Sequence, residues 1–231
     1  MLKLFSISFR LLLLSYLFSK NYRPEIERNF YSLFGKNDPS FWWRNAKKLG
    51  ENFALMLNQS WQLDKLRFLG DNIKKGEGMI FLTLHFGIWE ILPAIFSTLG
   101  YPVAIAVSKQ RNPFLERILT RIRKATGAKL VSNLWEMVNL LKSGFLLGFA
   151  GDNTQRVKRI SLPKFWKGFG VIKTPFILAR RTKAPLYSLF AHRNGKEVII
   201  FLKRVSSPEE FAQVAREYIK KYPEEWVFWG K

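Results

Sequence analysis

Residues 79–90 read MIFLTLHFGIWE, a run that opens on Met79, passes through Leu84 and His85, and ends at Glu90. The first six residues form a short, nearly continuous apolar run. Such a run reads as a strand buried on both faces, the kind a parallel sheet requires. Gly76-Glu77-Gly78 breaks the pattern before it, and the helical pattern of Ile88–Leu99 follows and stops at Gly100. His85 would therefore be the first residue past the carboxyl end of a buried strand, where open α/β sheets gather their sites. Gly87 lets the backbone turn there.

The same alternation continues outward. Val103–Val107, Lys129–Ser132 and Phe145–Ala150 read as strands. Pro113–Thr126 and Leu134–Lys142 read as helices, the first with Asn112 as N-cap and Pro113 at its start, the second capped by Asn133. Thr174-Pro175 starts a helix to about Lys183. Pro185–Arg193 and Lys196–Arg204 flank Asn194-Gly195, a strong hairpin signal. Ser207-Pro208-Glu209-Glu210 starts a helix running to about Lys221. Before residue 76, the stretches Arg23–Leu33, Ser40–Gln59 and Trp61–Lys75 have helical patterns, so residues 21–75 read as a helical layer. The fold class is α/β: a mostly parallel central sheet flanked by helices, with an antiparallel C-terminal hairpin at its edge, in one domain over residues 21–231.

Residues 1–20 stand apart. Leu2–Ser19 reads LKLFSISFRLLLLSYLFS, and its 18 residues would measure roughly 27 Å as a helix. Arg10 near the middle opposes a clean span. A tilted or interfacial anchor fits better, with Lys3, Arg10 and Lys20 reaching headgroups. Lys20, Arg23 and Arg28 favour the cytoplasmic side.

The chain has 231 residues, 38 Lys+Arg against 17 Asp+Glu, a net charge of +21, two histidines and no cysteine. Absence of cysteine excludes disulfides, thiol nucleophiles and thiolate metal sites. The charge calls for an anionic partner: nucleic acid, an acidic protein or a phosphate-bearing membrane. Residues 101–183 hold 17 basic and 3 acidic side chains, net +14, so the excess is concentrated. Arg156, Lys158, Arg159, Lys164 and Lys167, with Phe165 and Trp166 among them, suit a phosphate-rich lipid headgroup. No metal constellation is visible. His192, just before the hairpin turn, reads as a surface residue.

His85 and Glu90 could form a dyad. On a regular helix, residues five apart lie about 140° apart around the axis, so they meet only if His85 sits in the turn and Glu90 in the first helical turns. A carboxylate on one imidazole nitrogen fixes the tautomer and leaves the other nitrogen free to take a proton. With no nucleophile of the chain's own beside it, such a pair suits attack by a substrate hydroxyl. Asp152 is placed past another strand end at the same sheet edge.

His85-Phe-Gly-Ile-Trp-Glu90 resembles the H-F-G-N-W-E block of the lipid A biosynthesis (late, lauroyl/myristoyl-type) acyltransferases, within the lysophospholipid and glycerophosphate acyltransferase superfamily. Arg111-Asn112-Pro113 through Arg117, with Arg121 and Arg123 before Gly127, is similar to its second block. Gly151-Asp152-Asn153, Phe165-Trp166-Lys167-Gly168 with Thr174-Pro175, and Pro223-Glu224-Glu225-Trp226-Val-Phe-Trp229 follow in the family's order. Ile88 and Asn153 depart from its usual Asn and Gln.

The resemblance implies a glycerophosphate-acyltransferase-like fold and O-acyl transfer from an acyl thioester. The donor would ride on acidic acyl carrier protein or be acyl-CoA, and the acceptor would be an anionic lipid A precursor or related glycolipid. It implies no cofactor beyond the thioester co-substrate, and a place on the cytoplasmic face of the cell inner membrane. His85 would be the base and Glu90 its orienting partner. Arg123, Arg121 and Arg111 would serve the oxyanion or a substrate phosphate, with Asp152, Asn112, Lys164 and Lys167 as further substrate-binding residues. The resemblance implies that Asp152 fixes an arginine or the acceptor. A lysophospholipid acceptor is the near alternative. A nucleic-acid-binding protein is the distant one, disfavoured by the apolar N-terminus and the lack of any nucleic-acid-binding signature.

Overall fold

The computed structural model describes residues 23–58, 65–108, 117, 120, 123–152, 159–162 and 169–229. The expected anchor, residues 1–20, lies outside the described residues. Among the described residues no helix is long and apolar enough to cross a membrane.

Two helices come first, α1 (Arg23–Phe34) and α2 (Phe41–Asn58), close to their expected bounds. The pattern read as a third helix over Trp61–Lys75 is corrected: Leu66–Gly70 is a strand, β1. Its identity comes from parallel pairing with a distant strand, Leu66↔Val198 through Gly70↔Leu202. Four of its five residues are exposed. It is therefore an edge strand whose local pattern carries no burial signal.

The rest of the alternation follows. The strands are β2 (Met79–Thr83), β3 (Val103–Ala106), β4 (Lys129–Val131), β5 (Leu146–Ala150), β6 (Arg159–Ser161), β7 (Gly170–Ile172), β8 (Leu186–Asn194) and β9 (Glu197–Arg204). The helices are α3 (Leu92–Thr98), α4 (Leu134–Lys142), α5 (Thr174–Thr182) and α6 (Pro208–Lys221), with short 3-10 turns at Trp89–Ile91 and Pro223–Glu225. Asn133 caps α4 as expected, its Oδ1 accepting from the main-chain N–H of Trp135 at 2.8 Å and of Glu136 at 3.3 Å. Ser207 caps α6 through the N–H of Glu210. Of the helix expected over Pro113–Thr126, Arg117, Thr120 and residues 123–125 are described and helical.

The main sheet runs β1-β9-β8-β2-β5-β3-β4. Within it only β8 and β9 pair antiparallel. The hairpin is thus present, but it is not the edge, because β1 lies outside β9. Its two-residue loop is Gly195-Lys196, one position later than expected, with Gly195 at φ +59°. Positive φ at the first loop residue alone is the type II′ pattern. β6 and β7 form a separate two-stranded antiparallel sheet that no local pattern announced.

β2 is buried along its whole length. Its alternate residues serve two cores. Ile80 and Leu82 belong to the same core as Leu140 of α4, Leu178 of α5 and Phe211 of α6. Met79 and Phe81 meet Leu92, Ile95 and Phe96 on the other face. Helices therefore cover both faces of the central strands, as a parallel sheet needs.

Candidate active site

β2 and β5 are parallel neighbours in register, with Thr83 opposite Ala150. Two residues past those paired ends stand His85 and Asp152. The ladder continues into the loops, where the Gly151 N–H donates to the Thr83 carbonyl at 2.7 Å. This register brings together two side chains 67 residues apart. His85 Nδ1 lies 2.6 Å from Asp152 Oδ1, and the His85 main-chain N–H donates to Asp152 Oδ2 at 2.9 Å. The Trp226 indole N–H donates to the same Oδ2 at 3.0 Å.

Burial alone would raise the Asp152 carboxyl. The charge and hydrogen bond of His85, then the bonds from Trp226 and the His85 main chain, outweigh it and hold the group below its usual range. Asp152 is therefore an ionised, acceptor-only group, and the His85 Nδ1 facing it carries the hydrogen. Nε2 is left as the basic nitrogen.

The expected His85–Glu90 dyad is corrected by this arrangement. Nδ1 of His85 is held by Asp152, while Glu90 is gripped at both oxygens by Arg123, Nη2–Oε1 at 2.8 Å and Nε–Oε2 at 3.2 Å. The contacts differ from those expected: Asp152, foreseen as fixing an arginine or the acceptor, meets the histidine, and Glu90 meets Arg123. Glu90 sits in the 3-10 turn Trp89–Ile91, beyond the bend at Gly87. Arg123 reaches it from the helical residues before Gly127. The pair is mostly buried, with 15% and 9% of the two side chains exposed.

A pocket lies between the sheet and α3, about 650 Å³ of space when the solvent in its open mouth is included. His85, Glu90 and Arg123 line it with Thr83, and much of the remaining wall is apolar, including Phe81, Leu92, Phe96, Val103, Ile105 and Leu146. Asp152, on the Nδ1 side of the ring, is not among its lining residues. Gly148 lies in the floor. A Cβ there would meet only the Ala104 carbonyl oxygen at 3.8 Å. Glycine inside a buried strand often marks room kept for a close approach.

Gly87 shapes the turn. Its φ is +60°, and a Cβ would fall on the Ala191 carbonyl oxygen that accepts from the Ile88 N–H. The C-terminal segment closes over the other side. Phe86 bridges Trp226, the Val227 N–H donates to the His85 carbonyl at 3.0 Å, and the Gly87 N–H donates to the Glu225 carbonyl at 2.9 Å.

His192 is not at the surface; it is 3% exposed. Its strand faces α6, so the ring lies 4.0 Å from Tyr222 and 5.8 Å from Tyr218 between centroids. Burial, with Lys48 and Lys221 nearby, pushes it down to about 4. It does not line the pocket of His85. Arg121, Arg111, Asn112, Lys164 and Lys167 lie outside the described residues, as do Arg156, Lys158, Phe165 and Trp166. Among the described residues no group of His, Cys, Asp and Glu is placed to hold a metal. Trp226 is the site residue that sequence reasoning missed as an individual. It belonged to a recognised terminal block, but nothing local tells that its indole reaches Asp152.

Residues 45–229 match the family model described as bacterial lipid A biosynthesis acyltransferase. No curated relative matches the chain. Among solved structures, the crystal structure of the 1-acyl-sn-glycerophosphate (LPA) acyltransferase PlsC from Thermotoga maritima is similar at 14% identity, covering 98% of this chain and 100% of that one, with a TM-score of 0.41.

Proposed function

The chain belongs to the bacterial lipid A biosynthesis acyltransferase family, and from that premise we propose that it moves a fatty acyl chain from an acyl thioester to a hydroxyl of a lipid A precursor or related glycolipid. The observation that carries this reading is the His85–Asp152 pair at the wall of a largely apolar pocket.

The residues divide the work as follows. Nε2 of His85 takes the proton of the acceptor hydroxyl as its oxygen attacks the thioester carbonyl. Asp152 fixes the tautomer and stabilises the imidazolium that forms. Arg123, held by Glu90, places positive charge where the tetrahedral oxyanion develops or where a substrate phosphate sits. Collapse of the intermediate breaks the carbon–sulfur bond, and the departing thiolate recovers the proton from His85. The products are an ester and a free thiol. No metal or redox group takes part in these steps.

The acyl chain would lie along the cavity under α3, gaining about 0.8 kcal/mol per buried methylene. The donor would be carried by an acidic acyl carrier protein, drawn by a net charge of +21. The same charge suits a phosphorylated acceptor at the cytoplasmic face of the inner membrane, with residues 1–20 as the anchor.

The test incubates the protein with acyl thioesters of increasing chain length and a phosphorylated glycolipid acceptor, and reads the mass gained. Wild type should acylate the glycolipid. Transfer only to a lysophospholipid would replace the acceptor class, and no transfer to either would sink the reading. Gly148→Leu should plug the floor of the slot. Excluding about four methylenes costs on the order of 100-fold, so long donors should be lost while the shortest are retained. An equal loss at every chain length would remove the acyl chain from this cavity.

A further inference from the structure

Asp152 has two oxygens with different duties. Oδ1 faces His85 Nδ1, and Oδ2 accepts the His85 main-chain N–H and the Trp226 indole N–H. Packing alone would not require tryptophan at position 226, where a phenylalanine could fill much of the space. The indole differs by an N–H that can only donate, and it is aimed at a buried carboxylate.

The segment that carries Trp226 is itself anchored. The side-chain amide of Asn45, wholly buried on α2, donates to the carbonyls of Glu224 at 2.8 Å and Trp226 at 2.9 Å. Asn52 donates to Glu225 at 2.5 Å, and Lys48 pairs with Glu225 at 3.1 Å. From α1, Asn29 donates to the Trp229 carbonyl at 2.7 Å, and the Trp229 indole closes onto the Pro223 carbonyl at 2.8 Å. The amide N–H groups of Asn45 and Asn52 are buried and costly unless paired, and with the partly exposed Asn29 and Lys48 they tie residues 223–229 to the two helices. On its inner side that strap ties to the His85 carbonyl and the Gly87 N–H.

We infer that Trp226 is a positioning residue for acyl transfer: the C-terminal strap, clamped by the N-terminal helices, uses its indole N–H to fix the carboxylate that orients His85. This rests on the reading of His85 as the base. Trp226 touches no reacting atom; it acts through Asp152. Among the described residues, the charged groups beside the base are Asp152 at its Nδ1 and the Glu90–Arg123 pair at the same pocket.

The discriminating substitution places 3-benzothienylalanine at position 226, exchanging the indole N–H for sulfur at nearly constant shape. Without that donor the carboxylate is less firmly fixed and His85 is correctly oriented in fewer molecules, so kcat should fall about 10- to 100-fold, with KM close to wild type. The pair should hold its proton more tightly once a donor to the carboxylate is gone, so the acid limb of the rate profile should move to higher pH. Trp226→Phe should reproduce both changes. The unfolding midpoint of the isosteric variant should fall by no more than about 10 °C, the cost of one hydrogen bond to a charged group at this chain length. An active wild type matched by the isosteric variant in kcat and acid limb would overturn the inference while leaving the base assignment standing. A larger fall in unfolding midpoint would assign the N–H a structural role and overturn it too. A wild type that transfers no acyl group would overturn the reading beneath it.

Discussion

Asp152→Asn is expected to abolish nearly all turnover, by about a thousand- to ten-thousand-fold in kcat/KM, with the fold intact. The reason is tautomeric. The position of Oδ2 receives two N–H groups, from the His85 main chain and Trp226. Only the carbonyl oxygen of an asparagine can sit there. Its NH2 must then take the place of Oδ1, 2.6 Å from His85 Nδ1. Two donors cannot face each other, so the imidazole must move its hydrogen to Nε2. A nitrogen already bearing hydrogen cannot accept the acceptor's proton. Single-turnover acyl transfer, read beside circular dichroism of the variant, checks this. A folded Asp152→Asn protein within tenfold of wild type would mean that Asp152 does not set the state of His85.

The second large effect is on stability. Gly87→Ala should cost about 3 kcal/mol or more, from a left-handed backbone that alanine adopts poorly and from a Cβ driven into the main chain of β8. At this chain length that is a fall of roughly 6–12 °C in unfolding midpoint. Gly35 provides the control. Its φ is +67°, close to that of Gly87, but nothing lies within 4 Å of a Cβ there. Gly35→Ala should therefore show only the conformational part, about 1–2 kcal/mol. Thermal unfolding of both variants separates strain from collision. Equal losses would show that the β8 carbonyl can give way, and that the turn after His85 is less tightly set than its geometry implies.

What the sequence revealed and what it hid follow from the range of the forces involved. β2 and β5 were legible because an apolar run is a local property. The starts of α4 and α6 were legible because Asn133 and Ser207 cap within three residues of themselves. The strand at Leu66–Gly70 was hidden, because it is made a strand by β9, some 130 residues later. The site shows the same division. His85, Glu90, Arg123 and Asp152 could each be picked from position and resemblance. Their pairing could not, because the register of β2 on β5 decides it, and register is a property of the assembled sheet. The spacing of His85 and Glu90 suggested a local partner. The sheet supplied a distant one, and Glu90 turned to Arg123 instead.

The geometry of the pocket singles out one histidine. Of the two histidines, His192 is buried against α6, and His85 alone lines the apolar cavity. The most direct measurement is therefore the rate at which His85→Ala, compared with wild type, transfers an acyl group from a thioester to the hydroxyl of a phosphorylated glycolipid, followed by mass. A positioned general base contributes about a hundred- to ten-thousand-fold. The expected result is a loss of that size in a protein with a wild-type unfolding midpoint. A folded His85→Ala protein that transfers acyl groups at the wild-type rate would contradict the account.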